Sequence, residues 1–235
     1  MDLPEYRLRV SPRAKYLRIT VTERDGVVVV LPRGMSPRHV EPFVREKRAW
    51  IERALLQIES HRPAPESLTL PDRIYLPAID ESWGVDYLDG TADRTSLRET
   101  YEGRLRVHGD TADRQAVEAT LKRWLMRHAQ RTLPPWLTAL ARMHGLQHGR
   151  ISVRAQRTRW GSCNQRGDIS LNFRLLFLAP ELVCYVLLHE LAHTRHLNHS
   201  KRFWALVERM EPEYRAREKT LRAAAHELPR WVERL

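Results

Sequence analysis

The chain has 235 residues, 42% of them hydrophobic, which is enough for a real core in one large domain or in a small and a larger one. No stretch reaches the ~18 apolar residues that a transmembrane helix needs. Residues 1–5 lack the basic start and apolar run of a secretory signal, and two cysteines do not make a disulfide framework. We therefore expect a protein of the reducing cytoplasm with no membrane contact.

The charge is strongly basic. Lys and Arg number 40 against 29 Asp and Glu, which gives a net charge of +11 and a pI near 10.2. Such a balance is typical of a protein with an anionic partner, such as a nucleic acid or a nucleotide. It is equally typical of a generally basic protein, because the basic residues are dispersed along the chain.

Residues 1–60 predict a small antiparallel β-sheet followed by a helix. Apolar and charged residues alternate over 5–31, and Asp25-Gly26 is typical of a hairpin turn. Ser36-Pro37 then predicts a helix start, and apolar residues at helical spacing follow. Pro42 lies too deep for the first turn of that helix, so we expect a local irregularity there.

The middle of the chain predicts a linker and further short strands. The segment 60–78 carries four prolines, and the strands expected up to residue 110 form a β-meander. A long helix follows, which Pro134-Pro135 should break or kink, with a second helix from about residue 135. We predict regions 1–60, 61–110 and 111–235, which could also pack as one compact unit.

The most informative stretch is His189-Glu190-Leu191-Ala192-His193. Residues four apart on a helix share one face, so His189 and His193 can direct two imidazoles at one point. Glu190 lies beside them, and apolar neighbours indicate that the helix is buried. Buried histidines and a buried glutamate need partners. This pattern is typical of zinc with two nitrogen ligands and a carboxylate that takes a proton from a metal-activated water.

A catalytic zinc usually has a third protein ligand. His196 lies seven residues after His189, about 10.5 Å further along a continuing helix, which is too far to converge. His199 can return to the metal if the helix stops first, and Leu197-Asn198 is a plausible stop. His199 also has the ten-residue offset of proteases with an H-E-x-x-H-x-x-G-x-x-H motif, although His196 replaces the glycine. We favour His199, and a downstream acid stays open as the alternative, either Glu208 or Glu211.

Several further motifs carry a family resemblance. They are Thr158-Arg159-Trp160-Gly161-Ser162-Cys163, Ile169-x-Leu171-Asn172, Pro180, Tyr185-Val186, the histidine motif, Asn198-His199-Ser200 and Phe203-Trp204. Together they resemble the YgjP-like metallopeptidase family, which is distantly similar to SprT-type zinc proteases. The resemblance implies a zincin-like catalytic fold, with His189, His193 and His199 as zinc ligands and Glu190 as the catalytic acid and base. Thr194 stands where the family often has leucine, outside the ligand set.

The sequence therefore predicts an α+β protein with a zincin-like catalytic domain and its H-E-x-x-H helix, and a zinc-dependent metallopeptidase that cleaves a peptide or protein. Two other activities stay open. One is zinc-dependent hydrolysis of nucleoside triphosphates (a nucleotide pyrophosphatase), although no glycine-rich phosphate loop is present. The other is proteolysis of DNA-associated proteins. A metal-binding protein without catalysis would have no need of Glu190.

The mechanism also needs a group that stabilises the oxyanion. Arg159, Asn172 and Tyr214 are the polar candidates near the motifs. We expect Trp160 to pack under the site, and Cys163 to be a small buried thiol rather than a weak metal ligand.

Overall fold

A computed structural model describes residues 3–22, 25–60, 69–90, 94–224 and 227–235. The chain divides into two compact units, Met1–Glu66 and Ser67–Leu235. Residues 61–68 of the expected linker, with two of its four prolines, lie outside the described residues. Within the described residues the fold mixes small sheets with α-helices, in agreement with the α+β prediction.

The first unit holds a three-stranded sheet with β3 in the centre. β3 is the most buried strand of this sheet because of its β-branched run, and it lies between β1 and β2. The β2–β3 hairpin is antiparallel as expected, but β1 pairs with β3 in parallel, so the prediction of a purely antiparallel sheet is wrong. The strands are β1 (Arg7–Ser11), β2 (Arg18–Thr22) and β3 (Gly26–Pro32).

Two helices complete this unit, α1 (Val40–Glu46) and α2 (Arg48–Ser60). The chain is interrupted at Lys47 and not at Pro42. A short 3-10 turn precedes α1, so Pro42 is the third residue of a new helix. In the first turn a missing N–H costs no hydrogen bond, so α1 accommodates Pro42, and the irregularity lies just before it, in the change from a 3-10 turn to α1.

The second unit opens with a four-stranded sheet of order β4-β5-β7-β6. β5 and β7 are parallel neighbours, so the sheet is not the predicted β-meander. The sequence placed this sheet in a region of its own, but its buried side chains share one core with the helices that follow. The strands are β4 (Arg73–Leu76), β5 (Glu81–Asp89), β6 (Ser96–Glu99) and β7 (Arg104–Gly109).

One continuous helix, α3 (Arg114–Met143), passes through Pro134 and Pro135, so the predicted break is wrong. The two carbonyls that lose their helical partners belong to Gln130 and Arg131, which are exposed and can be solvated. On the opposite face, fully buried leucines hold the helix in place. Tertiary packing therefore outweighs the local propensity.

The rest of the unit surrounds one helix, α4 (Pro180–His193), which packs against α3, α5, α6 and β9. A small sheet of order β8-β10-β9 lies beside it. Among the residues that the structure describes, every helix is too short or too polar to cross a bilayer. The remaining elements are β8 (Ile151–Arg154), β9 (Gly161–Cys163), β10 (Ile169–Asn172), α5 (Lys201–Met210), α6 (Tyr214–Ala224) and α7 (Arg230–Arg234).

A buried histidine, His128, joins α3 to the four-stranded sheet. It is 6% exposed, and its ring lies 5.1 Å from that of Trp124. Its Nε2 is 3.0 Å from a carboxylate oxygen of Glu81, and its Nδ1 is 3.0 Å from the guanidinium of Arg131. Burial lowers the pKa of His128. Glu81 and Glu99 oppose this effect and Arg131 adds to it.

This pKa gives stability a pH dependence. Because the unfolded chain binds a proton near pH ~6.5 and folded His128 does so only at lower pH, the free energy of unfolding should fall as the pH drops through that value. We expect His128→Gln to remove part of this fall. Urea unfolding of both proteins at about pH 7.5 and about pH 5.5 measures it, with all other histidines common to both. An identical pH dependence in the two proteins would contradict the lowered pKa.

Candidate metal centre

The site lies at the C-terminal end of α4. Pro180 begins this helix and Glu181 follows in its first turn, where both residue types are favoured. Nine of its fourteen residues are buried, so its polar side chains emerge within an apolar core. His189 and Glu190 lie in the last turns, and His193 is the final residue.

The helix stops at His193, so the expected stop at Leu197-Asn198 is wrong by several residues. The Thr194 hydroxyl donates to the Leu191 carbonyl at 2.7 Å and satisfies one of the last helical acceptors. The chain then reverses, and Ser200 caps α5 by accepting from the Phe203 N–H. This early reversal brings His199 back beside α4.

The structure brings His189, His193 and His199 together. One ligand atom from each lies within 4.8 Å of the others. The Nε2 atoms of His189 and His199 are 3.1 Å apart. Two nitrogens bound tetrahedrally to one zinc at ~2.0–2.1 Å would be about 3.3 Å apart, so the spacing fits such an ion.

The neighbouring His196 contributes its backbone to this cluster. The His193 Nδ1 lies 3.1 Å from the His196 carbonyl oxygen. Since a carbonyl accepts only, His193 donates from Nδ1, and its Nε2 lone pair is left for a metal. The alternative acids lie outside the cluster: Glu208 is 3.8 Å from Arg215, and Glu211 accepts from the Glu213 N–H.

Burial keeps the imidazoles of His189 and His193 neutral, which is the form that binds metals. Burial, with added repulsion from His193 and His199, lowers the pKa of His189 to about 3. Burial also lowers the pKa of His193. Phe203 is fully buried beneath the cluster, 4.5 Å from the His193 ring, while His199 is exposed. The cluster therefore has an apolar floor and one open side.

Glu190 is buried beside the histidines. It is 6% exposed, and its Oε2 has no hydrogen-bond partner among the described residues. Burial raises its pKa to about 7, against the opposing charge of Arg159. A carboxylate with a pKa near neutrality can both accept and release a proton.

Gly161 on β9 makes room for Glu190. A Cβ at this position would lie 2.7 Å from the Glu190 Cγ and 2.8 Å from its Oε1. Sequence reasoning gave Gly161 no role at the site. A glycine inside a strand often marks the close approach of another group, and that signal could have found it.

A cavity of about 550 Å³ opens beside Glu190 and His189. Tyr185, one turn before His189, lines it and is 3% exposed. Burial raises the pKa of its hydroxyl to about 12, so the group stays a hydrogen-bond donor. The other lining residues are Arg159, Trp160, Gly161, Val186, Glu218, Leu221 and Arg222.

Of the three oxyanion candidates, Arg159 alone lines this cavity. Asn172 has a structural role: its amide donates to the Gln156 carbonyl at 2.7 Å and to the Arg159 carbonyl at 2.8 Å, and so fixes the loop before β9. Tyr214 stacks on Trp204 at 5.2 Å. Cys163 lies outside the histidine cluster, and burial raises the pKa of its thiol to about 11.

Comparison with known proteins identifies the family of the chain. A family model described as YgjP-like, metallopeptidase domain, matches residues 15–224. The chain belongs to the YgjP-like family. Membership in a metallopeptidase family implies a bound metal ion and a peptide or protein substrate. It gives no support to a nucleic-acid partner.

Other comparisons add little to the YgjP-like assignment. Curated proteins gave no match. The crystal structure of the metallopeptidase zymogen of Pyrococcus abyssi abylysin is 26% identical, over 40% of this chain and 94% of that chain, with a TM-score of 0.37. That similarity is too limited to support an argument about this YgjP-like chain.

We expect Gly161→Ala to displace the Glu190 side chain. Because the new methyl group would meet a movable side chain and not backbone, the protein should fold and keep its metal while peptide hydrolysis falls at least about tenfold. Gly84→Ala is the matched control, since its Cβ would meet the Arg104 guanidinium at 2.7 Å, away from the site. Metal content and peptide cleavage of both variants measure this. A Gly161→Ala variant as active as the Gly84→Ala variant would contradict the role of Gly161.

Proposed function

We propose that this YgjP-like chain is a zinc-dependent metallopeptidase in which His189, His193 and His199 hold the metal and Glu190 is the catalytic base and acid. The observation that carries the proposal is the meeting of three imidazole ligand atoms within 4.8 Å beside a buried carboxylate that lacks a hydrogen-bond partner among the described residues. Membership in a metallopeptidase family supports the same conclusion.

The donor set favours zinc. Three imidazoles with an open side match the three protein ligands and one free position of catalytic zinc sites. The bond from His193 Nδ1 to the His196 carbonyl supports this assignment, because second partners of that kind orient metal-bound histidines.

Both cysteines are free thiols, which supports a reducing compartment such as the cytoplasm.

When bound, zinc would supply Lewis-acid chemistry, lowering the pKa of a water and polarising the substrate carbonyl. Glu190 would accept the proton of the attacking water and deliver it to the leaving amine. Its raised pKa of about 7 suits both steps. Arg159 lines the same cavity and would stabilise the negative charge that develops on the carbonyl oxygen.

Glu190→Gln should lose peptide hydrolysis by a factor of ~10²–10⁴, the usual contribution of general acid–base catalysis. The amide cannot accept the proton of water, but it keeps the size of the side chain, so zinc content should be unchanged. Glu181→Gln, an exposed change in the first turn of α4, is the control. Casein-type cleavage measured together with zinc content tests this, and a Glu190→Gln variant as active as the wild type would rule out the proposed mechanism.

The third ligand is tested by replacing two nearby histidines separately. His199→Ala should lower zinc affinity strongly, because one of three ligands is removed. His196→Ala should keep the metal, since the backbone carbonyl that orients His193 survives the change. Zinc counted by atomic absorption after dialysis distinguishes them. Loss of zinc in His196→Ala alone would show that His199 is not the third ligand.

A further inference from the structure

A second cavity shares two of its lining residues with the cavity beside Glu190. Its volume is about 340 Å³. Arg159 and Trp160 line both this cavity and the one beside Glu190. The two cavities are therefore neighbours, and a peptide bound beside Glu190 can extend toward the second one.

The lining of the second cavity is rich in arginine. Arg157, Arg159 and Arg174 all line it, and among the described lining residues Glu233 alone is acidic. Glu233 also lies 3.6 Å from Arg230, so its charge is shared with a fourth arginine. We name this pocket the arginine cavity.

Arg174 is the buried member. It is 8% exposed, lies two residues after β10, and its side chain donates to the carbonyls of Gln156 at 3.3 Å and Glu233 at 3.0 Å. Its Nε has no hydrogen-bond partner among the described residues. Burial lowers the pKa of this guanidinium, and Arg157 adds to the effect while Glu233 opposes it. A buried cation that carbonyl dipoles satisfy only in part favours an anionic ligand nearby.

Arg157 and Arg159 provide the open side. Both are exposed, and in the described part of the chain neither side chain makes a hydrogen bond or a salt bridge. Their loop is fixed all the same, because Asn172 holds the carbonyls of Gln156 and Arg159. Both arginines are therefore held at their backbones. Arg157 can bind a ligand in the arginine cavity, while Arg159 is the proposed oxyanion stabiliser beside Glu190.

We propose that the arginine cavity binds a carboxylate of the peptide substrate, supplied by its C-terminus or by an acidic side chain beyond the scissile bond. The planar guanidinium matches a carboxylate with two parallel hydrogen bonds. Phosphate would also fit arginine, but a peptide substrate brings carboxylates to this place. The inference rests on the proposed peptidase function, since it takes the substrate to be a peptide.

Binding can be measured without turnover in zinc-loaded Glu190→Gln protein. The probes are dansylated alanine hexapeptides with one phenylalanine, compared in pairs. The first pair differs only in having a C-terminal acid or a C-terminal amide. In each further pair the amidated peptide carries either glutamate or glutamine at one position, and that position changes from pair to pair. We expect a carboxylate to tighten binding about tenfold in at least one pair, the usual strength of a charge-assisted hydrogen bond. The pair that responds identifies which carboxylate is bound.

The preference should vanish when Arg157→Gln is added and persist when Arg154→Gln is added. Arg154 is an exposed arginine of β8 outside the arginine cavity. Equal affinity within every pair would overturn the proposal. So would an equal loss of the carboxylate preference in the Arg157→Gln and Arg154→Gln variants. Binding of inorganic pyrophosphate that depends on Arg157 while peptide carboxylates have no effect would also overturn it, in favour of a phosphate site.

These outcomes are separate from failure of the peptidase function. That failure would be seen as no peptide cleavage by the wild type, or as cleavage that does not depend on Glu190, with the carboxylate preference in binding intact. Circular dichroism and zinc content of each arginine variant confirm that the comparison is made between folded, metal-loaded proteins.

Discussion

The second unit depends on the burial of α4. This helix packs against α3, α5, α6 and the small sheet, so its last turns carry two histidines and a glutamate into surroundings that disfavour charge. The same burial keeps the imidazoles uncharged and raises the pKa of Glu190. Buried imidazoles and a buried carboxyl group lower the stability of the fold unless they gain polar partners. A metal ion with a bound water would be a partner for the histidines and for Glu190 at once.

The segment from Arg157 to Gly161 gives α4 its chemical surroundings. Gly161 lets Glu190 lie against β9, Arg159 and Trp160 line the cavity beside it, and Arg157 faces the arginine cavity. Asn172 fixes this loop from β10 and so couples a structural residue to the site. One short loop therefore shapes both the place of the proposed chemistry and a neighbouring place for substrate.

Much of the site could be predicted because its information is local. The spacing of His189 and His193 fixes two side chains on one helix face. The axial-rise argument against His196 assumed a continuing helix, whereas α4 ends at His193. The exact end of α4 could not be obtained in this way. Asn198 was a plausible local stop, but the chain leaves the helix at His193, where Thr194 satisfies the last turn. Metal ligation itself stays a prediction.

The errors in the fold come from long-range packing. Pro134 and Pro135 carry a strong local signal for a break, but buried leucines and solvated carbonyls allow α3 to continue. Strand direction failed for a related reason. β1–β3 and β5–β7 are parallel, and the partner of a strand depends on which segment fills the centre of the sheet, which hairpin signals do not report. The space for Glu190 at Gly161 is likewise a contact between distant segments.

The central claim is that His189, His193 and His199 share one zinc ion next to Glu190. Anomalous diffraction from zinc-loaded crystals, recorded on both sides of the zinc absorption edge, tests it most directly. The account predicts a single strong peak at ~2.0–2.1 Å from one nitrogen of each of the three histidines, with the His196 imidazole turned away. A peak coordinated by the His196 imidazole or by Glu208 or Glu211, or no peak at this cluster, would contradict it.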